Sequence, residues 1–374
     1  MLVTALHRSM GQGARHRDAT QVPAGSTAVI VESGAGHHTW TRRVMTILQT
    51  EFNKFNDAIR LGWDNEQATL RERRDAVLDR IRERLDGPSF SHFNQGSYEL
   101  RTGVKPVDGD YDIDVGLRFN TTKEEWPDPV ALKQRVVDAL SGYKVELRRP
   151  CVTVYYQRRN EALYHVDLNV YVPAGTDGMF HLAVGKVGDA GKLKEWRYTD
   201  PLALSKAIDA KFTDDDREQC RRAIRCLKRW KDLKFSAEGN AAPKGIGLTA
   251  AALQWFAPSK ERDGVANRVH YDDLRALSGL VSTMLANATP RLVVKLPVSP
   301  HDDLFRRMND EQMRVFRDKL QDLDDGLRRA LADADEGSAS RTLRRFFGDD
   351  FPEVSKSSTV RRAAGAIVSS GSAG

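Results

Sequence analysis

From Asp110 to Val115 the chain reads Asp-Tyr-Asp-Ile-Asp-Val, carboxylates alternating with apolar or aromatic side chains. A helix would scatter these residues around its circumference. A strand, with a two-residue period, sends Asp110, Asp112 and Asp114 to one face and Tyr111, Ile113 and Val115 to the other. The segment is therefore committed to a sheet with one buried face and one crowded with negative charge, and that crowding is unfavourable unless a cation sits among the carboxylates. Just upstream, Gly96-Ser97 is expected to open a short helical turn, whose free N–H groups and positive dipole end suit a phosphate.

At 374 residues the chain has material for two packed domains, or for one large domain with an appendage. Lys and Arg number 58 against 52 Asp and Glu, a net charge of +6, which permits anionic partners without demanding nucleic acid. The cysteines are Cys151, Cys220 and Cys226, without CxxC spacing or a His at zinc-ligand distance, and they read as reduced core thiols of a cytoplasmic protein. No apolar run is long enough to span a membrane. Residues 1–38 lack the apolar segment of a secretory signal and read as a disordered tail, as do residues 355–374, rich in Ser, Ala and Gly.

Periodicity sets the order of elements. Val44, Leu48, Phe52, Phe55 and Ile59 predict one helix, and Leu70, Val77, Ile81 and Leu85 a second, begun by Asp64 as N-cap and stopped by Gly87-Pro88. Both are expected to brace the central motif. After the strand Tyr111–Phe119, Asp128-Pro129 opens a helix; strands follow over Val145–Tyr156 and Leu163–Val172, joined by a turn at Arg158-Arg159-Asn160. In the last strand His165, Asp167 and Asn169 face away from Val166, Leu168, Val170 and Val172. Beyond Asp200-Pro201 helices take over: a basic one carrying Ala223, Leu227 and Trp230, then Leu248–Phe256, Tyr271–Ala286 and a long charged stretch from Asp302 to Ala334. Leu292–Val298 reads as an edge strand. The expected organisation is a catalytic region over 39–200 and a helical domain over 201–354.

A phosphate turn, a strand with alternating carboxylates and a further Asp on a later strand are what two-metal phosphoryl or nucleotidyl transfer requires. Two Mg2+ ions roughly 4 Å apart need bridging carboxylates, one ion activating the attacking hydroxyl and the other neutralising the leaving pyrophosphate. Asp112 and Asp114 are assigned to bridge both ions, Asp167 to the ion that activates the hydroxyl, and Gly96 with Ser97 to the terminal phosphates. Asp110 with Asp112 is a rival pair of equal spacing, disfavoured because Asp110 follows Gly109 at the strand start. Asp-x-Asp alone is better explained by a solvated strand face; the Gly-Ser turn and Asp167 reverse the balance.

These residues resemble a known family. Gly96-Ser97, Asp112-Ile113-Asp114 and Asp167 within Val-Asp-Leu are similar to the signature of polymerase-β-like nucleotidyltransferases, and Phe-Asn-Gln-Gly-Ser-Tyr-Glu-Leu-Arg-Thr-Gly-Val-Lys-Pro resembles the bacterial cGAS/DncV-like branch. Further landmarks, among them Trp196 to Pro201, Lys228-Arg229-Trp230, Asp303-Leu304-Phe305 and Phe347 to Pro352, extend the resemblance over about residues 45–353. It implies an α+β fold: a nucleotidyltransferase palm, a mixed sheet flanked by helices, with a C-terminal helical domain closing the nucleotide cleft. It implies a synthase that joins ATP or GTP with Mg2+, or Mn2+ in its place, into a cyclic di- or trinucleotide, the second messenger that activates an operon-encoded effector in anti-phage (CBASS) signalling. Lys228 matches a helix lysine that reaches the donor triphosphate in animal relatives; a solvated helix face explains it equally. A flexible tail ending at Gly374 is a conjugation site in some members, and a solubilising tail in the plainer reading.

One departure stands out. Where several relatives carry Ser or Gln followed by a base-stacking aromatic, this chain has Gly245-Ile246, so base preference does not carry across; Tyr98 and Trp255 are the aromatic substitutes at hand. Two other functions fit the same residues: a nucleotidyltransferase acting on an RNA or protein acceptor, and a degenerate nucleotide-sensing palm. Basic residues interleaved with acids and the absence of an aromatic-rich RNA-binding strand weigh against the RNA acceptor, and the full set of carboxylates weighs against the sensor.

Overall fold

The computed structural model describes residues 48–62, 66–107, 109–156, 163–175, 178–236, 241–264 and 266–354. Both expected tails, the Asp64 cap and the turn at Arg158-Arg159-Asn160 lie outside these residues. The chain runs α1 (Gln49–Ile59), α2 (Glu66–Arg84), β1 (Phe90–Gln95), α3 (Gly96–Glu99), β2 (Asp110–Phe119), α4 (Pro129–Ala139), β3 (Lys144–Leu147), β4 (Val152–Tyr156), β5 (Leu163–Pro173), β6 (Phe180–Val184) and β7 (Glu195–Thr199). Then come α5 (Pro201–Lys211), α6 (Asp214–Lys234), α7 (Gly245–Trp255), β8 (Lys260–Asp263), β9 (Arg268–Tyr271), α8 (Asp273–Ala286), α9 (Asp310–Ala332) and α10 (Glu336–Phe347).

Among the described residues seven strands form one mixed sheet in the order β1-β2-β5-β4-β3, with β6 pairing β5 and β7 pairing β6; β2 and β5 run parallel and the other pairs antiparallel. Alternation decides its faces. Ile113, Val115 and Leu117 of β2, Val166, Leu168 and Val170 of β5 and Val152 and Val154 of β4 are fully or almost fully buried against Leu70, Val77 and Ile81 of α2 and Leu132 and Val136 of α4. The opposite face is left for the polar residues. Asp128 caps α4 as expected, accepting from Val130 N at 2.9 Å, with Pro129 at the first helical position.

A second core gathers the helices. Trp230 of α6, Phe316 of α9 and Phe346 and Phe347 of α10 are buried in it, and so are Phe52, Phe55 and Ile59 of α1. Phe55 lies 5.1 Å from Phe347 and 5.2 Å from Phe351, ring centroid to centroid. Of the two helices expected to brace the motif, α2 packs on the sheet and α1 belongs to the helical core.

Several boundaries differ from the sequence reading, each for a local reason. The strand expected over Val145–Tyr156 is a hairpin, β3 and β4 paired antiparallel, because Pro150 cannot continue a ladder. Leu292–Val298 is no strand; only Lys295 forms a bridge, to Asp303. The long helix begins at Asp310 rather than Asp302, where Asn309 and Gln312 form a reciprocal capping box. Tyr271 closes the β8–β9 hairpin, and Asp272 caps α8.

Candidate active site

The register of the sheet assembles the site. Gln95 of β1 lies opposite Asp114 of β2, Asp114 opposite Asp167 of β5, and Asp167 opposite Thr153 of β4, so these residues form one row across four strands. In the neighbouring row Asp112 lies opposite His165, and His165 opposite Tyr155. Directly opposed residues share a face, and this is the face that α2 and α4 leave uncovered. Asp112, Asp114 and Asp167, singled out from strand alternation together with the upstream Gly-Ser turn, are thereby brought together although Asp167 lies more than fifty residues beyond the other two in the chain. Asp110 opens β2; the rival assignment, which turns on its side chain, lies outside what is described.

The carboxylates crowd one another. Burial first, then the charges of Asp112 and Asp167, push the Asp114 carboxyl from 3.8 up to about 8, against the opposing pull of Lys228. Asp112 is raised for the same reasons, burial and then Asp167, although its side chain remains open to solvent, which moderates the burial contribution. Asp167 is held by a neighbour: Thr153 Oγ1 donates to its Oδ1 at 2.6 Å. Thr153 is fully buried, so the hydroxyl has a fixed direction and keeps one carboxylate oxygen in place. Gln95 is fixed in turn, its Oε1 accepting from Tyr171 Oη at 3.0 Å.

The Gly-Ser turn sits directly above this row. Gly96 begins α3 with φ +66°, in the left-handed region that favours glycine, and a Cβ there would lie 2.0 Å from Asp114 Oδ2. Glycine is thus required twice, for its backbone angle and for the approach of the carboxylate. Leu100 N donates to Gly96 O at 3.2 Å and Thr102 N to Ser97 O at 2.9 Å, closing the turn. Lys228 comes up beneath it from α6. Its Nζ donates to Thr102 O at 3.0 Å and to Thr102 Oγ1 at 3.2 Å, and burial lowers its pKa to about 8 against the pull of Asp112. Only 8 % of its surface is exposed, so the solvated-face reading of this lysine is set aside.

Among the described residues no three His, Cys, Asp or Glu side chains are already gathered about a common point. The case for metal rests instead on the donor set: three carboxylates in adjacent register positions, two with pKa values raised by burial first and then by the negative charges of their neighbours. A divalent cation supplies that compensation, and hard oxygen donors suit Mg2+ or Mn2+. These residues fit such ions.

Sequence reasoning missed Thr153 and Gln95. Neither carries a signal of its own, since each acquires its place through strand pairing. Of the aromatic substitutes, Trp255 packs against the helical core and Tyr98 against the sheet core, and Gly245 stands at the start of α7, where a Cβ would be 3.5 Å from Lys228 Cε. A separate cavity of about 520 Å³ opens between α5, α7 and residues 293–301; its walls include Ala207, Ala250, Leu253 and Leu296, and no carboxylate lines it.

Residues 90–171 match the family described as cyclic GMP-AMP synthase DncV-like, nucleotidyltransferase domain. The fold is similar to several solved structures. The CD-NTase CdnG of Bradyrhizobium diazoefficiens, in complex with GTP, superposes with a TM-score of 0.62 at 19% identity, over 81% of this chain and 95% of that one. CdnC of E. coli MS115-1, with ATP, gives 0.58 at 16% identity over 81% and 98%. The Vibrio cholerae cyclic AMP-GMP synthase DncV gives 0.54 at 18% identity over 82% and 80%. The α+β palm with its helical C-terminal region is the fold of these enzymes. No helix among the described residues is long and apolar enough to cross a membrane.

Proposed function

With residues 90–171 a DncV-like nucleotidyltransferase domain on a cGAS/DncV-like fold, we propose that the chain is a nucleotidyltransferase that joins NTPs into a cyclic di- or trinucleotide. The observation that carries this reading is the row Gln95, Asp114, Asp167, Thr153 with the Gly96 turn set against Asp114. Asp112, Asp114 and Asp167 are the residues that would hold two Mg2+ or Mn2+ ions, which supply charge neutralisation at the phosphates and a lowered pKa at the attacking 3′-hydroxyl.

The chain's own residues do the rest. Free N–H groups of the Gly96-Ser97 turn bind the terminal phosphates of the donor. Lys228 adds positive charge beneath the turn, having an N–H left after its bonds to Thr102. Thr153 fixes the direction of Asp167, the carboxylate assigned to the ion that would activate the acceptor hydroxyl. ATP and GTP are the expected substrates, since CdnG and CdnC were solved with GTP and ATP. The product would act on a separate effector, in anti-phage signalling of the CBASS kind.

The test is a substrate survey. Purified protein is incubated with Mg2+ or Mn2+ and each combination of labelled NTPs, then treated with phosphatase. A phosphatase-resistant cyclic product supports the reading. Label transferred only to added RNA or protein would replace it with the macromolecular-acceptor alternative, and its absence under all conditions would remove it.

A further inference from the structure

Three cationic side chains on one face of α6 reach three successive carbonyls of the turn that follows β1. Arg221 Nε donates to Leu100 O at 3.1 Å, Arg225 Nη1 to Arg101 O at 3.0 Å and Lys228 Nζ to Thr102 O at 3.0 Å. Steps of four and three residues along a helix keep the three on one stripe. Arg101, in the middle, has φ +56°, a left-handed conformation that a residue with a side chain seldom adopts without support.

The three cations differ in what neutralises them. Arg221 pairs with Asp209 at 2.6 Å and Glu218 at 2.5 Å. Arg225 and Lys228 form no ion pair among the described residues, although only 5 % and 8 % of their surfaces are exposed. The other partner of Arg225 is neutral: its Nε donates to Asn56 Oδ1 of α1 at 2.8 Å. The direct partners of Arg225 and Lys228 are uncharged oxygens, and the carboxylates that act on them, Glu218 on Arg225 and Asp112 on Lys228, do so from beyond ion-pair distance, so their burial is incompletely compensated. The arrangement makes sense if an anion completes it, and the place for one is the N-terminal side of the turn whose carbonyls these cations hold.

We propose that Arg225 is a positioning residue for the phosphate turn: anchored on Asn56, it holds the Arg101 carbonyl, fixes the turn from Gly96 to Thr102 in the shape that receives a polyphosphate, and biases it electrostatically toward that anion. This rests on the nucleotidyltransferase reading and names what pre-forms its donor site. Arg225 acts through its contacts with Asn56 and the Arg101 carbonyl.

The test compares wild type, Arg225→Met, Arg225→Lys and Asn56→Ala by thermal unfolding, by NTP steady-state kinetics and by calorimetric titration with inorganic tripolyphosphate, a probe that needs no chemistry. Loss of two charge-assisted bonds, to Asn56 and to the Arg101 carbonyl, and of the charge is expected to raise KM for NTP, and to weaken tripolyphosphate, by about tenfold or more in Arg225→Met. Arg225→Lys, which keeps the charge and one donor, is expected to recover part of the loss, and Asn56→Ala to show a smaller defect of the same kind. Should Arg225→Met fail to fold, the other two variants decide. Tripolyphosphate affinity and KM equal to wild type in folded variants would overturn the positioning role alone. A wild type that binds neither NTP nor tripolyphosphate would overturn the functional reading along with it.

Discussion

Gly96 and Asp114 are in such close approach that one added methyl group would collide with the carboxylate, a Cβ at 96 lying 2.0 Å from Asp114 Oδ2. The turn that would take the phosphates and the carboxylate that would take the metal are thus a single steric unit. Gly96→Ala must displace one or the other, and also forces a side chain into a backbone conformation with φ +66°. We expect nucleotidyl transfer to fall by about a hundredfold or more, as misplacement of a reacting group by an ångström does. Circular dichroism should show the sheet retained; an alanine variant with normal activity would mean that the turn and Asp114 are not coupled.

Thr153 offers a gentler perturbation. Thr153→Val keeps the volume but removes the hydroxyl that donates to Asp167 at 2.6 Å. Loss of one hydrogen bond to a charged group corresponds to about 1.5–3 kcal/mol, so roughly a tenfold or greater drop in kcat is expected, with Thr153→Ser close to wild type. Parallel activity and melting measurements separate the two contributions, because a purely structural role would lower stability and leave kcat intact.

The pH dependence follows from Asp114. In the metal-free protein its carboxyl is pushed from 3.8 to about 8, by burial and then by Asp112 and Asp167. Between those values the folded chain binds more protons at this site than the unfolded chain, so its contribution to stability falls as pH rises through the window. Asp114→Asn removes the effect. Without metal the variant should therefore melt higher than wild type near pH 8, the two curves converging toward pH 4. Divalent cations need the deprotonated carboxylates, so their affinity should strengthen with rising pH and their binding should release protons. Melting curves with and without Mg2+ across this range check both signs.

Much of the site was legible before the fold was known, and the reason is periodicity. Asp112, Asp114 and Asp167 declare their face because a strand alternates, and their apolar neighbours Ile113, Val115, Val166 and Leu168 are buried as that alternation requires. Gly96 could be read as a turn glycine, but its approach to Asp114 depends on β1, whose sequence Phe-Ser-His-Phe-Asn-Gln gives only a weak strand pattern. Thr153 stayed hidden because its role exists only through the pairing of β4 with β5. In α6, Lys228 is open to two readings from sequence, a lysine at the donor triphosphate or part of a solvated basic face, and Arg221 and Arg225 draw no reading of their own, since nothing local shows that the partners of all three are backbone carbonyls more than 120 residues away. The placement of α1 in the helical core was equally out of reach, its apolar face fitting either body until Phe347 and Phe351 are seen against it.

The central claim, that Asp112, Asp114 and Asp167 form one metal-dependent nucleotidyl-transfer centre, is tested most directly by measuring incorporation of labelled NTP into phosphatase-resistant product as Mg2+ is titrated. Wild type, Asp110→Asn, Asp167→Asn and the double variant Asp112→Asn/Asp114→Asn are compared, with melting curves to show that each is folded. The account predicts saturable, metal-dependent product from wild type and largely from Asp110→Asn, and none from Asp167→Asn or the folded double variant. Full activity in the double variant, or product that forms equally well in the presence of excess chelator, would contradict it.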